Sequence, residues 1–151
     1  MKIAIASDHA GFELKEKLKK FLESLNYQYK DFGTNNNESV DYPDYALKVA
    51  ESVSKKEYDR GILICGSGIG MSMVANKIPG IRAALCYNTE TAKMSREHND
   101  ANVLTIGARM TDGKIAKDIV RIWLKTGFLG ERHSRRVKKI EEIEKKYNKI
   151  I

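Results

Sequence analysis

Gly61-Ile62-Leu63-Ile64-Cys65-Gly66-Ser67-Gly68-Ile69-Gly70-Met71-Ser72 is the stretch from which the rest of the chain can be read. The apolar run Ile62 to Ile64 has the composition of a buried strand. It ends on a thiol, and three alternating glycines then lead into a periodic segment, Met71 to Ala75, that reads as the first turns of a helix. Strand, tight loop and helix in that order make one unit of an α/β sheet. Free N–H groups at a helix start carry partial positive charge and collect anions, and glycines let a ligand approach the backbone. The same field lowers a thiol pKa, which makes Cys65 a candidate base beside a candidate oxyanion hole. The competing reading is a buried, inert cysteine followed by an ordinary turn. Two phosphate-loop explanations fail: no Gly-Lys-Ser/Thr tripeptide follows, and a dinucleotide fingerprint would need glycine where Met71 stands.

Outward from this unit, strands are expected over 2–6, 27–32, 81–86 and 103–107. Helices are expected from Phe12 to Leu25, over 45–54 with Pro43 near the first turn, from the Gly loop to about Lys77, from Asn88 to the polar group at His98, over 112–125, and from Glu131 to the end. Alternation of this kind implies an α/β fold, a doubly wound, five-stranded parallel sheet with its ligand loops at the carboxyl ends of the strands. Asp8-His9, Cys65-Gly66-Ser67 and Arg109 all fall at such ends. Asp8 also suits a helix N-cap, His98 a helix C-cap, and Arg132 with Arg136 an exposed basic face. Four residues apart on one helix, those two arginines equally suit a fork on phosphate. Tyr42 either lines a pocket or staples the start of its helix.

With 151 residues and 42% apolar content the chain is expected to form one domain over 1–151, with its last helix at about 131–149. No apolar run approaches a membrane span, and the first residues enter a strand pattern directly, so neither signal peptide nor membrane segment is expected. Two cysteines at the ends of apolar runs suit reduced thiols in the cytoplasm, and three scattered histidines give no zinc spacing. The net charge is +7, and residues 131–151 hold eight Lys/Arg against four Glu. That segment is amphipathic, with Val137, Ile140, Ile143, Tyr147 and Ile150 at helical spacing, which suits a solvated face or a helix that docks on a partner subunit. No aromatic run or DNA-binding motif accompanies the charge, so a nucleic-acid partner is not expected.

The segments Ser7-Asp8-His9-Ala10-Gly11-Phe12, Asp41-Tyr42-Pro43-Asp44, Cys65-Gly66-Ser67-Gly68-Ile69-Gly70, Gly80-Ile81-Arg82-Ala83-Ala84, His98-Asn99-Asp100-Ala101-Asn102 and Gly107-Ala108-Arg109 resemble, in order, the ribose-5-phosphate isomerase B family, which also holds the galactose-6-phosphate isomerase subunits. The resemblance runs through essentially the whole chain. It implies an aldose–ketose isomerase of Rossmann-like fold without metal or cofactor, a homodimer or dimer of dimers whose active sites are shared between subunits. It implies Cys65 as the base that moves the proton between C2 and C1, and His98 as the group that opens the sugar ring. Asp8, His9, Gly66, Ser67, Gly68, Ile69, Gly70, Asn99, Arg109, Arg132 and Arg136 would hold substrate, the arginines chiefly on phosphate, with His133 assisting. One branch of the family carries a glutamate just after the glycine loop; Met71 stands there, which puts this chain in the cysteine branch. Ser67 keeps the hydroxyl of the threonine that many members have.

The implied chemistry suits the residue types. Ring opening needs a proton shuttle near neutral pKa, removal of the C2 proton gives an enediolate that needs preorganised donors, and phosphate binding supplies positioning away from the reacting carbons. The function expected is interconversion of ribose 5-phosphate and ribulose 5-phosphate. The alternatives are isomerisation of allose or galactose 6-phosphate, or a non-catalytic sugar-phosphate sensor, against which the pairing of Cys65 with His98 argues.

Overall fold

A computed structural model describes residues 1–148. Five parallel strands, β1 (Lys2–Ser7), β2 (Gln28–Asp31), β3 (Arg60–Cys65), β4 (Ala83–Leu85) and β5 (Val103–Gly107), form one sheet in the order β2-β1-β3-β5-β4. The helices are α1 (Phe12–Ser24), α2 (Tyr42–Ser54), α3 (Ile69–Ala75), α4 (Thr89–Glu97), α5 (Gly113–Lys125) and α6 (Arg132–Tyr147). The chain steps left from β1 to β2 and right from β3 to β4, then returns to place β5 between β3 and β4. Right-handed crossovers therefore put α1 and α4 on one face and α2 and α3 on the other, and α5, which follows the last strand, packs beside α1 and α4. The two cores reflect that division. Leu14, Leu18, Leu22, Ile119, Val120 and Trp123 pack on Ile3, Ile5, Ile62, Ile64 and Leu104, while Ala46, Val49, Ala50, Val53, Met71 and Ala75 pack on Ala4, Ala6 and Leu63. Alternate residues of β1 and β3 supply each face, as the strand period requires.

Several boundaries differ from those read in the sequence. α2 starts at Tyr42, because Pro43 occupies the first turn, where its missing N–H removes no helical bond. β4 keeps only three residues of the expected 81–86 run. It lies at the sheet edge, and the Asn76 side chain takes the place of a second neighbour by accepting from the Ala83 N–H (2.8 Å) and donating to the Ala83 carbonyl (3.0 Å). α6 packs through His133 and Val137 and leaves Ile140, Ile143 and Tyr147 exposed. Position 149, to which the helix was expected to reach, and Ile150 lie outside the described residues.

Lys15 of α1 is fully buried and donates to Asp31 (2.7 Å) and to the Thr34 carbonyl, tying the helix to the end of β2. Burial alone would raise the Asp31 carboxyl, but hydrogen bonds from Lys15, Lys19 and the Gly33 N–H outweigh it and hold the group below its ordinary value. The unfolded chain then binds this proton at higher pH than the folded one. The stabilisation is complete above the unfolded value of about 3.9 and is lost as pH falls through the lower folded value. Asp31→Asn is expected to destabilise the protein by about 3 kcal/mol at pH 7, since it strands a buried ammonium, and by progressively less in acid. Urea melts of both proteins between pH 7 and pH 3 measure this; an equal gap at both ends would remove the pair from the stability account.

Candidate active site

β1 and β3 lie side by side, and the connections that leave them run in opposite directions, so a crevice opens beyond their carboxyl ends. Asp8 stands at the tip of β1, only 6% exposed. Its Oδ1 accepts the Gly11 N–H at 3.0 Å, and Gly11 occupies the N-cap of α1, so Asp8 secures the turn before the helix and is not itself the cap. The neighbouring His9 accepts the Val40 N–H on Nδ1 at 3.2 Å, tying the 34–41 loop to the strand tip and leaving the proton of a neutral ring on Nε2.

Cys65 ends β3, 5% exposed, and the Gly68 N–H donates to its Sγ at 3.1 Å. That geometry requires Gly68 in the left-handed region (φ 79°), which a side chain would strain. Gly70 admits the Tyr42 ring, which any Cβ there would strike. Among the described residues no protein acceptor meets the N–H of Gly66, Ser67 or Gly70, so the loop that follows the sulfur keeps unpaired backbone donors. Ser67 Oγ accepts the Ile69 N–H at 3.2 Å. From the tip of β5, the Arg109 N–H donates to the Gly66 carbonyl (3.0 Å) and its guanidinium lies over Gly66. Asp8, Tyr42, Cys65, Gly66, Ser67, Ile69, Gly70, Met73, Arg109 and Met110 line a pocket of about 470 Å³.

The other expected site residues gather elsewhere. His98 is the C-cap of α4, and its ring stacks on that of His133, with centroids 4.3 Å apart and planes 13° from parallel. The Leu129 N–H bonds to the Glu97 carbonyl (3.1 Å), folding the 127–130 break back so that α6 begins beside the end of α4. Burial, then the positive fields of His98, Arg132 and Arg136, hold His133 below its ordinary value, and its Nε2 is buried without a partner among the described residues. Arg132 and Arg136 are exposed one turn apart, and Asn99 follows His98 at the mouth of a groove along α6.

The pairing register separates the two groups. Gly61 pairs with Val103 at the amino edge of the sheet, where the Gly61 N–H bonds to the Asn102 carbonyl, and Cys65 pairs with Gly107 at the carboxyl edge. Four residues of strand span about 13 Å. Asp8, His9, Cys65, the glycine loop and Arg109 thus occupy one edge, and the segment from His98 to Asn102, with the start of α6, the other. Met73 and Met110, 63% and 71% exposed on the pocket rim, were not identified from sequence, and Tyr42 was left open. The only signal for the methionines is their nearness in sequence to the glycine loop and to Arg109.

Sheet order, crevice and pocket together define an open α/β protein with a small-molecule site outside the carboxyl ends of its strands. Residues 3–140 match the family described as Ribose/Galactose Isomerase, and the chain belongs to that family. It is 46% identical to ribose-5-phosphate isomerase B of Escherichia coli strain K12, over 97% of this chain and 99% of that one. A solved structure of Clostridium thermocellum ribose-5-phosphate isomerase B superposes with a TM-score of 0.97 at 59% identity, covering 98% of this chain and 100% of the other. The Mycoplasma genitalium ribose-5-phosphate isomerase B, solved with bound ribulose 5-phosphate, gives 0.92 at 42% identity over 95% and 96% of the two chains. No helix among the described residues is long and apolar enough to cross a membrane.

Proposed function

We propose that this chain, as a single domain over 1–151, interconverts ribose 5-phosphate and ribulose 5-phosphate without a metal. The observation that carries the reading is the buried Cys65 thiol, held by the Gly68 N–H in an open pocket beside a glycine loop whose other backbone donors meet no acceptor among the described residues. His98 moves a proton between the ring oxygen and the anomeric hydroxyl to open the sugar. Cys65, as thiolate, takes the C2 proton. The electron pair left on carbon forms the enediolate, whose oxygen charge the N–H groups of Gly66, Ser67 and Gly70 receive. The proton returns from sulfur to C1 while the hydroxyl proton passes from O2 to O1, giving the ketose with atoms conserved. Asp8, His9 and Asn99 orient hydroxyls, and Arg109, Arg132 and Arg136 hold the phosphate.

Because His98, Asn99, Arg132 and Arg136 stand at the far edge of their own sheet, a complete site requires a second copy that brings its amino edge to the Cys65 pocket. A homodimer, alone or paired into a dimer of dimers, meets this requirement, with Cys65 and Arg109 from one protomer and the His98 group from its partner. A phosphorylated sugar does not cross a bilayer unaided, which points to the cytoplasm as the place of action.

Turnover of ribose 5-phosphate, allose 6-phosphate and galactose 6-phosphate by the purified protein, with a chelator present throughout, tests the reading. The expected result is a kcat/KM for ribose 5-phosphate at least about tenfold above either hexose phosphate, a gap of about 1.4 kcal/mol at the transition state, unchanged by the chelator. Preference for a hexose phosphate would transfer the same chemistry to a longer substrate, and no turnover at all would leave a sugar-phosphate sensor.

A further inference from the structure

At the amino edge of the sheet, away from the Cys65 pocket, a cleft of about 240 Å³ opens between the end of α2 and the turn that follows α4. Its charged lining is Lys56, Arg60, Arg82 and Arg96 against Asp59 and Asp100, a surplus of two positive charges. Both carboxylates are already engaged. Asp100 accepts from Arg96 Nη1 at 2.9 Å and from Arg82 Nη2 at 3.3 Å, and Asp59 accepts the Lys2 N–H at 2.7 Å.

Arg60 is the unusual member. It lies over the Trp123 ring (5.2 Å) and donates Nη1 to the Trp123 carbonyl (3.1 Å), yet among the described residues no carboxylate stands within ion-pair distance of it. Arg96 is 5% exposed and is fixed through Nε to the Thr126 carbonyl (3.1 Å) and through Nη1 to the Ala101 carbonyl (2.6 Å). Among the described residues Nη2 of Arg60 and Nη2 of Arg96 meet no protein acceptor. Two fixed guanidiniums thus line one cleft, Arg96 paired with Asp100 and Arg60 with no carboxylate in ion-pair distance among the described residues. Burial, then the charge of Arg96, pull Arg60 down to about 10, and the opposing fields of Asp100 and Asp59 do not make up the difference.

We propose that this cleft binds a small dianion of the phosphate class, either inorganic phosphate or the phosphate end of a phosphorylated metabolite, gripped by Arg60 and Arg96 with Arg82 and Lys56 adding charge. Planar guanidinium forks match a tetrahedral oxyanion, and the packing that fixes both side chains lowers the entropy lost on binding. The cleft's arginines are none of Arg109, Arg132 and Arg136, and it borders the catalytic segment only through Asp100, Asn102 and Arg82, whose Nε donates to the Asn99 carbonyl at 3.0 Å.

Equilibrium dialysis of the intact protein against radiolabelled inorganic phosphate tests the assignment. Two classes of bound phosphate are expected, one removed by Arg136→Gln in the catalytic grip and the other by Arg60→Gln. The Arg60→Gln protein should keep isomerase kcat/KM within about twofold of wild type, because Arg60 touches no substrate group. Since Arg60 also packs on Trp123, Lys56→Glu on the exposed rim serves as a second variant and is expected to weaken the cleft phosphate about tenfold without disturbing packing. Displacement by glycerol 3-phosphate at lower concentration than by unlabelled phosphate assigns the site to a metabolite, and equal displacement assigns it to the free ion. A single class of phosphate, lost in Arg136→Gln and untouched by Arg60→Gln or Lys56→Glu, would overturn the proposal.

Discussion

Replacing Cys65 with alanine is expected to lower kcat for ribose 5-phosphate by about 10³-fold, the middle of the range that a positioned general base contributes. The sulfur lines the pocket at the end of β3 and accepts the Gly68 N–H, while the Asp8 carboxyl that shares the pocket is already engaged by the Gly11 N–H. Loss of exchange between the C2 proton and solvent should accompany the loss of turnover. Binding of a phosphorylated, non-reacting sugar acid should stay within about threefold, because Arg109 and the α6 arginines are untouched. The substitution leaves the Gly68 N–H without its acceptor, a cost of about 1 kcal/mol in stability that a folded protein absorbs. Cys65→Ser keeps an acceptor for Gly68 and should be as inactive, which separates the base from the hydrogen bond. Turnover of either variant within about tenfold of wild type would remove Cys65 from the proton transfer.

The second large effect is a gain. Cys65→Ala and His98→Asn proteins, each inactive alone, are expected to recover about a quarter of wild-type activity when mixed in equal amounts and allowed to exchange subunits. Half of the dimers in a random mixture are hybrids, and in each hybrid one of the two sites pairs an intact Cys65 pocket with an intact His98 group. The expectation follows from the proposed roles together with the register, since Cys65 and His98 of one chain stand at opposite edges of one sheet. His98→Asn alone should also spare an open-chain substrate analogue relative to the closed ring. Activity that stays at the sum of the two separate proteins after exchange would mean that each site is built within one chain.

Much of the fold was legible because local chemistry dictated it. The alternation of short apolar runs with amphipathic segments fixed five strands and their helices, and Pro43 and the glycines marked where elements begin and end. The return of the chain that seats β5 between β3 and β4 left no local mark, because neighbour choice is settled by how helices cover the two faces. The strand, loop and helix around Cys65 could be read from residue types alone, whereas the thiol's role stayed open there between a base and a buried, inert cysteine. The division of the site was half legible. His98 to Asn102 stand before a strand, and in a parallel sheet whatever immediately precedes a strand lies at its amino edge. The helix that returns α6 to that edge, and the stack of His133 on His98, depend on the 127–130 break, whose direction the sequence does not encode in any short motif.

Under the shared site proposed above, the register that sets Cys65 and His98 a strand's length apart makes catalysis a property of concentration. A lone protomer would hold the two halves of the chemistry at opposite edges of its sheet, and specific activity is then expected to collapse on dilution below the dissociation constant of the pair. Output then rises faster than linearly with the amount of protein made at low expression and linearly once pairing is complete. The cell obtains a threshold from geometry alone, without an effector or a moving part.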